Sequence, residues 1–396
     1  DIDARGDAHS QEITTYTTDS TGAEATLEET DYKVITSRSF DARHNILNQV
    51  IFNYDGKGGT FMDVQEVRYL GFHSSGTTLH QASVTYADED RTQIIAAQET
   101  VNSSVNSSGN IGHSEITTYR RATIADDTSI AGDKDGVITF IGALDLQTID
   151  TDLADFDARG NALRQTITRD YFADDGSIMS SETQDITNDP FDIHDRTSKS
   201  VILNYEGKGD TKVFIDAQEI NYLVYDRYGN AESQTIDVYS TANMAADSLT
   251  VHKTIVNNYG GPNDTIQVLI VDDSTTPPTT TTVTKNAVYA RKKGNALSST
   301  VTEYATKDET IAPISQTVSI RSVFDIRGNA IDQQSDRFVA DSSGSLILVT
   351  RTVIHNSDID ARGDAHSQEI TTYTTDSTGA NLEVTGYQVI VNRAFD

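Results

Sequence analysis

Phe156-Asp157-Ala158-Arg159-Gly160-Asn161 decides how this chain is read, because the same six-residue pattern returns along its length. It stands again at Ile2 to Asp7, Phe324 to Asn329 and Ile359 to Asp364, with looser copies at Phe40 to Asn45 and Tyr225 to Asn230. The chemistry is that of a tight reversal. An Asp carboxylate accepts from backbone amides just ahead of it, the two central residues suit a type I turn, and Gly supplies the left-handed conformation of a G1 bulge. Asn or Asp after the glycine also tolerates positive φ. A single copy would be a loop of no consequence, whereas six define a repeat protein of antiparallel strands.

The turn glycine, or its substitute, places units at Gly6, His44, Gly76, Gly109, Gly160, Asp195, Gly229, Gly261, Gly294, Gly328 and Gly363, mostly 32 to 38 residues apart with one interval of 51. Ten positions beyond it stand Tyr16, Tyr54, Tyr86, Tyr119, Tyr205, Tyr239, Tyr304 and Tyr373, with Phe338 as a ninth aromatic. Seven positions beyond are aliphatic residues such as Ile13, Ile51, Ile116 and Ile370, and five beyond are Gln11, Gln49, Gln81, Gln165, Gln234, Gln333 and Gln368. Residues three apart cannot share a face of a regular strand. The aliphatic and aromatic series therefore point to opposite faces or are separated by a bulge. Equivalent strands stacked in register would let the glutamines form an amide ladder; otherwise Gln is simply a tolerated polar strand residue.

A second turn follows the aromatic, as in Asp55-Gly56-Lys57-Gly58 and Glu206-Gly207-Lys208-Gly209, and then a second β-rich run such as Phe61 to Tyr69 or Val213 to Tyr225. The expected fold class is all-β, with tandem β-hairpin repeats of about 35 residues in an elongated, fibre-like β array and negligible helix. Residues 1–23 return unchanged at 358–380, so residues 1–357 read as one large period of about ten hairpin units and 358–396 as the start of the next, Phe395-Asp396 echoing Phe40-Asp41. With no initiator Met and no visible signal peptide, the polypeptide is expected to continue in both directions.

A further duplication matches Asn53-Tyr54-Asp55-Gly56-Lys57-Gly58, Gln65-Glu66 and Tyr69-Leu70 with Asn204-Tyr205-Glu206-Gly207-Lys208-Gly209, Gln218-Glu219 and Tyr222-Leu223. Two insertions, Asp126 to Asp155 and Val271 to Lys285, break the rhythm. Both are expected as exposed excursions, the second because Pro277 and Pro278 lack the amide a central strand needs.

The 60 acidic residues against 30 basic ones give a net charge of −30, which disfavours nucleic acid and anionic membranes as partners. Apolar runs such as Val268 to Val271 are too short for membrane insertion. The chain has no Cys, which excludes a disulfide framework and a thiolate metal site but not an extracellular location.

Arg5-Gly6-Asp7 and Arg362-Gly363-Asp364 spell an integrin-type tripeptide in the slot that Arg-Gly-Asn fills elsewhere, so turn chemistry accounts for them. Asp133-Lys134-Asp135-Gly136-Val137-Ile138 is similar to the middle of a calcium loop, with Asp133 and Asp135 as candidate Ca2+ ligands. Ala131 and Gly142 occupy the first and last ligand positions, however, so the twelve-residue pattern fails and a structural turn is the alternative. The nine His show neither HxH nor HExxH spacing, and no nucleophile elbow accompanies them. No catalytic constellation follows from the sequence, and no cofactor is expected beyond that calcium candidate.

The aromatic-Asp-x-x-Gly-Asn turn followed by a polar, alternating strand resembles the YD repeats of the RHS family. That resemblance implies hairpins wound into a continuous β-sheet shell. The pattern equally resembles a giant repetitive bacterial or archaeal surface fibre protein of an unrelated family. The functional expectation is a non-catalytic structural component of an extracellular filament, stalk or cell-surface fibre, joined end to end by β-pairing between subunits or by one continuing chain. The alternative is an adhesin or RHS-like shell protein that binds a carbohydrate or surface ligand through its insertions.

Overall fold

The computed structural model describes residues 1–18, 27–126, 133–261, 263–272, 279–359, 363, 365–376 and 378–391. Arg362 and Asp364, the Thr275 to Pro278 stretch, and Phe395-Asp396 lie outside these residues. The chain divides into two compact units, the first comprising residues 1–18, 26–191 and 202–215 and the second chiefly residues 192–201 and 216–396.

In the first unit, ten strands follow one another as an antiparallel meander: β1 (Ser10–Thr17), β2 (Glu28–Phe40), β3 (Ile46–Tyr54), β4 (Phe61–Phe72), β5 (Thr78–Tyr86), β6 (Ile94–Val105), β7 (Ile111–Ile124), β8 (Ile138–Asp150), β9 (Arg164–Phe172) and β10 (Ile178–Asn188). Each pairs antiparallel with the next. Its core gathers Val50, Val64, Ala82, Val84, Tyr86, Ala97, Ala122 and Ile138 on β3 to β8. The chain passes between the units within β11 (Lys199–Glu206) and β12 (Val213–Tyr225).

In the second unit β12 pairs with β13 (Ala231–Tyr239), and β13 with β14 (Leu249–Asn258). There β14 skips ahead to β17 (Ser298–Tyr304), which continues through β18 (Ser315–Asp325), β19 (Ala330–Ala340), β20 (Leu346–Ile359), β21 (Ala365–Thr374) and β22 (Glu383–Val391). The hairpin β15 (Thr265–Asp272) and β16 (Thr279–Asn286) and the five-residue helix α1 (Val288–Lys292) fill the interval. Among the described residues no helix is long and apolar enough to cross a membrane.

The all-β class and the tandem hairpins are as expected, and the turn chemistry explains them atom by atom. The Asp157 amide bonds the Asn161 carbonyl at 2.9 Å, and the Gly160 amide bonds the Asp157 carbonyl at 3.1 Å. Asp157 Oδ1 accepts from the amides of Arg159 and Asn161, while Asn161 Nδ2 donates to Asp157 Oδ2 at 3.0 Å. The same Asp–Asn clasp recurs at Asp41/Asn45, Asp226/Asn230 and Asp325/Asn329. Gly160 needs its φ of 92°, and the substitutes His44 and Asp195 adopt 68° and 60°.

All eight tyrosines of the series lie in strands. At Tyr16, Tyr54, Tyr86, Tyr119, Tyr239 and Tyr373 the pairing slips by one residue, and the extra residue sits on the following strand. The tyrosine's own strand stays regular against the preceding one, as Ile51↔Ile35 and Tyr54↔Tyr32 show. The aliphatic and aromatic series therefore face opposite ways, and the bulge belongs to the neighbour. Strands bearing the glutamine series alternate with the second strand of each unit, so equivalent glutamines sit about 9.5 Å apart, two strand spacings, too far for an amide ladder.

Two expectations are corrected. Gly261 opens no repeat unit, because β14 pairs directly with β17 and the whole span between them is one insertion. Within that span the described side chains of Val271 to Lys285 are exposed or half-buried, as expected. Ile266, Val268, Ala287, Tyr289 and Ala290 on either side are buried, and β15 runs parallel to β18 through Val268↔Phe324, a break in the antiparallel pattern. The second correction falls on the Asp126 to Asp155 insertion, whose second half is strand β8, paired on both sides. Its Ile138 joins the core, and its Leu144, the residue bulged opposite Tyr119, is buried as well.

The copies at the two ends pair alike. Tyr16 faces Glu29 with Thr30 bulged out, and Tyr373 faces Val384 with Thr385 bulged out. The hydroxyls of Thr17 and Thr30 lie 2.6 Å apart, those of Thr374 and Thr385 2.7 Å.

Candidate functional site

In β4 the alternation Met62, Val64, Glu66, Arg68 puts two charged residues in line with two apolar ones, and all four are buried. A buried carboxylate must be paired. Arg38 clasps Glu66 through both oxygens at 2.8 and 3.0 Å, Arg91 donates at 2.6 Å and Arg68 at 3.2 Å. Three guanidiniums exceed one acid, and the surplus donors turn to the main chain of residues 133–136. The Asp133 carbonyl accepts from Arg38 and Arg91 at 3.0 and 2.8 Å, the Lys134 carbonyl from Arg68 at 2.6 Å, the Asp135 carbonyl from Asn48 at 2.6 Å and the Gly136 carbonyl from Arg68 at 2.9 Å. Four successive carbonyls are thus satisfied by side chains, as a segment outside the ladder requires. The Lys134 ammonium lies 4.7 Å from the centre of the Tyr86 ring, and burial together with Arg91 holds it below the usual lysine range. Burial, then Glu66, pushes the Tyr86 phenol up to about 12.

Beside this cluster is a groove of about 700 Å³, walled by the Asp41 to Asn45 turn, by Tyr69, Leu70 and Phe72, and by Val137. The Tyr69 hydroxyl accepts from Gln49 at 2.7 Å, and burial raises its pKa. Leu70 and Val137 at the rim are 60% and 74% exposed.

Asp133 and Asp135, the calcium candidates, therefore stand in a segment whose oxygens face arginine donors, with Asp133 Oδ1 itself 3.4 Å from Arg38. Among the described residues no group of three or more His, Cys, Asp or Glu could hold a metal ion. In the tripeptide Arg5-Gly6-Asp7 the guanidinium folds back on the buried Asp7 at 2.5 Å, and His44 Nδ1 lies 2.7 Å from the other oxygen. The second unit holds a polar cluster of its own: buried His252 Nδ1 is 2.6 Å from Asp237, which Lys307 also reaches at 2.7 Å. Glu66 and its arginines were not singled out from the sequence. The signal was present as a charged pair, Glu66 and Arg68, alternating with Met62 and Val64 on a strand face.

No protein-family model matches the sequence, and no curated protein matches it. Two solved structures are similar over 98% of this chain at 12% identity: TcdB2-TccC3, with a TM-score of 0.15, and TcdB2-TccC3 without its hypervariable C-terminal region, with 0.14. The chain spans about a quarter of the length of those chains, 25% and 26%. At such scores the likeness carries no argument about this protein.

Proposed function

We propose that the chain is a structural segment of an extracellular filament, stalk or surface fibre, non-catalytic and built from tandem hairpins. The observation that carries this reading is the recurrence of one self-contained turn, four copies of which are clasped by their own Asp and Asn, together with two distant copies of a hairpin paired in the same register. Units that close their own hydrogen bonds can be multiplied without redesign, which suits a protein selected for length. The excess of acidic residues keeps such a surface solvated. β-Pairing with further hairpins, of the same chain or of another copy, would extend the array.

The groove beside Tyr69 and Phe72 favours a second reading, an adhesin or an RHS-like shell protein that holds a surface ligand, such as a glycan, in that part of the fold. Electron microscopy of the native protein separates the two. A filament of uniform width supports the first reading, a stalk with a distinct tip or a closed shell the second, and a compact globule refutes both.

A further inference from the structure

The internal duplication supplies a comparison that the groove alone lacks. The turn Asp41 to Asn45 and the strand end Tyr69 to Phe72 correspond to Asp192 to Arg196 and Tyr222 to Tyr225 in the second unit. In that copy the two rings stack at 5.5 Å and 25°. The Arg196 guanidinium lies 4.8 Å from the Tyr225 ring centre while bonding Asp192 Oδ2 at 2.8 Å, and the Tyr225 hydroxyl donates to the Thr197 carbonyl at 2.7 Å. A cation thus covers the Tyr225 ring of the stacked pair and bridges it to the turn's acid.

In the first unit the same ring pair is present, Tyr69 and Phe72 at 6.1 Å and 36°. Asn45 stands where Arg196 does, and its amide ends on Asp41 Oδ2 at 2.8 Å. Among the described residues no cation lies over either ring. What opens in its place is the groove.

We infer that this groove is a docking slot for a guanidinium: an arginine side chain of a partner polypeptide, seated over Phe72 and Tyr69 as Arg196 seats over Tyr225 in the duplicate. Guanidinium faces stack on aromatic rings and bridge to carboxylates with one planar group, which an ammonium does less well. Four charged residues line the slot, Asp41 and Asp135 against Arg43 and Arg68, so the case for a guanidinium rests on the duplicate and not on the net charge of the lining. Arg68 is committed to Glu66 and to backbone carbonyls. Arg43 lies close enough to Asp41 to lower its pKa, after the larger effects of Asn45 and the backbone. The second oxygen of Asp41 receives a neutral amide where Asp192 receives a guanidinium. A chain with a net charge of −30 also draws cationic partners by its field. This inference is independent of the filament reading, which concerns the repeats and not the slot.

The test uses the full chain, with N-acetyl-arginine amide as the probe and ring resonances of Tyr69 and Phe72 as the readout, against N-acetyl-lysine amide, N-acetyl-leucine amide and N-acetyl-glutamate amide. The expected result is saturable shifts with the arginine probe, several-fold weaker binding of the lysine probe, and none with the other two. Asn45→Arg should fill the slot from within and weaken the arginine probe at least tenfold while the chain stays folded. Arg196→Asn should open the duplicate slot and raise the stoichiometry from one to two. Equal binding to the Asn45→Arg variant, unchanged stoichiometry with Arg196→Asn, or preference for the leucine or glutamate probe would each overturn the inference.

Discussion

Replacing Glu66 with Ala removes the one acid that holds Arg38, Arg68 and Arg91 together. Their side chains are only 12%, 7% and 16% exposed, so water cannot take over the lost partner without the structure opening. Four hydrogen bonds to the carboxylate vanish. At about 1.5–3 kcal/mol for each bond to a charged group, their sum is an upper bound of about 6–12 kcal/mol. The carbonyls of residues 133–136 keep part of each guanidinium satisfied, which brings the expectation down to the usual cost of breaking a buried pair, about 3–5 kcal/mol. For a unit of this size each kcal/mol lowers the melting temperature by about 2–4 °C, so the variant should melt roughly 10 °C lower. Glu66→Gln, which keeps the shape but not the charge, should fall between wild type and Glu66→Ala. Urea unfolding followed by circular dichroism gives the free energy, and trypsin cleavage after Lys134 reports whether the segment over the arginines has come away. A loss below about 1 kcal/mol, with Lys134 still protected, would show that the arginines do not depend on Glu66.

The remaining expectations concern turns, bulges and pH. Gly160→Ala forces a side chain into φ 92° and should cost more than about 1 kcal/mol in thermal unfolding, and Asp157→Ala, which strands the amides it accepts from, about 1–2 kcal/mol. Tyr86→Ala should cost about 3–5 kcal/mol because the ring is 3% exposed, and Tyr16→Ala, 54% exposed, under about 1 kcal/mol, although both hold the same repeat position. His113 is held above the usual histidine range by its hydrogen bond to Asp150, against burial, so its contribution is complete below about pH 6.5 and fades as pH rises through its folded value. The melting difference between wild type and His113→Gln should therefore be larger at about pH 5 than at about pH 9. Asp376, held at about 2 first by Thr378, acts in the opposite sense: its contribution is full above about pH 4 and is lost as pH falls towards 2, which titration of Asp376→Asn against wild type would read.

How much of this was legible depended on distance along the chain. The Asp-x-x-Gly-Asn turn closes within five residues, so its chemistry could be read directly, including the substitution of Gly by His44 and Asp195. Gly261 was misread because Tyr259-Gly260-Gly261 imitates the motif locally, while the pairing that excludes it, β14 with β17, spans some forty residues. The parallel contact of β15 with β18 has no local sign at all. Glu66 resembled a polar strand residue like its copy Glu219. What makes it different is the arrival of Arg38 from β2 and Arg91 from the connection between β5 and β6, 28 and 25 residues away. The Asp126 to Asp155 insertion was set apart because it breaks the repeat spacing, and the β-rich run beginning at Ile138 was the stronger signal.

The matched registers of the first and last hairpins have a consequence for inheritance. From Tyr16 to Thr30 the chain runs 14 residues, and from Tyr373 to Thr385 only 12, yet the same threonine bulges and the same partners meet beyond it. A length change in the connecting stretch is absorbed there and does not reach the ladder, much as punctuation restores a reading frame. Unequal crossing-over between such copies therefore yields chains that are longer or shorter but still in register. A gene of this kind can gain or lose whole hairpins in one event without first passing through a misfolded product.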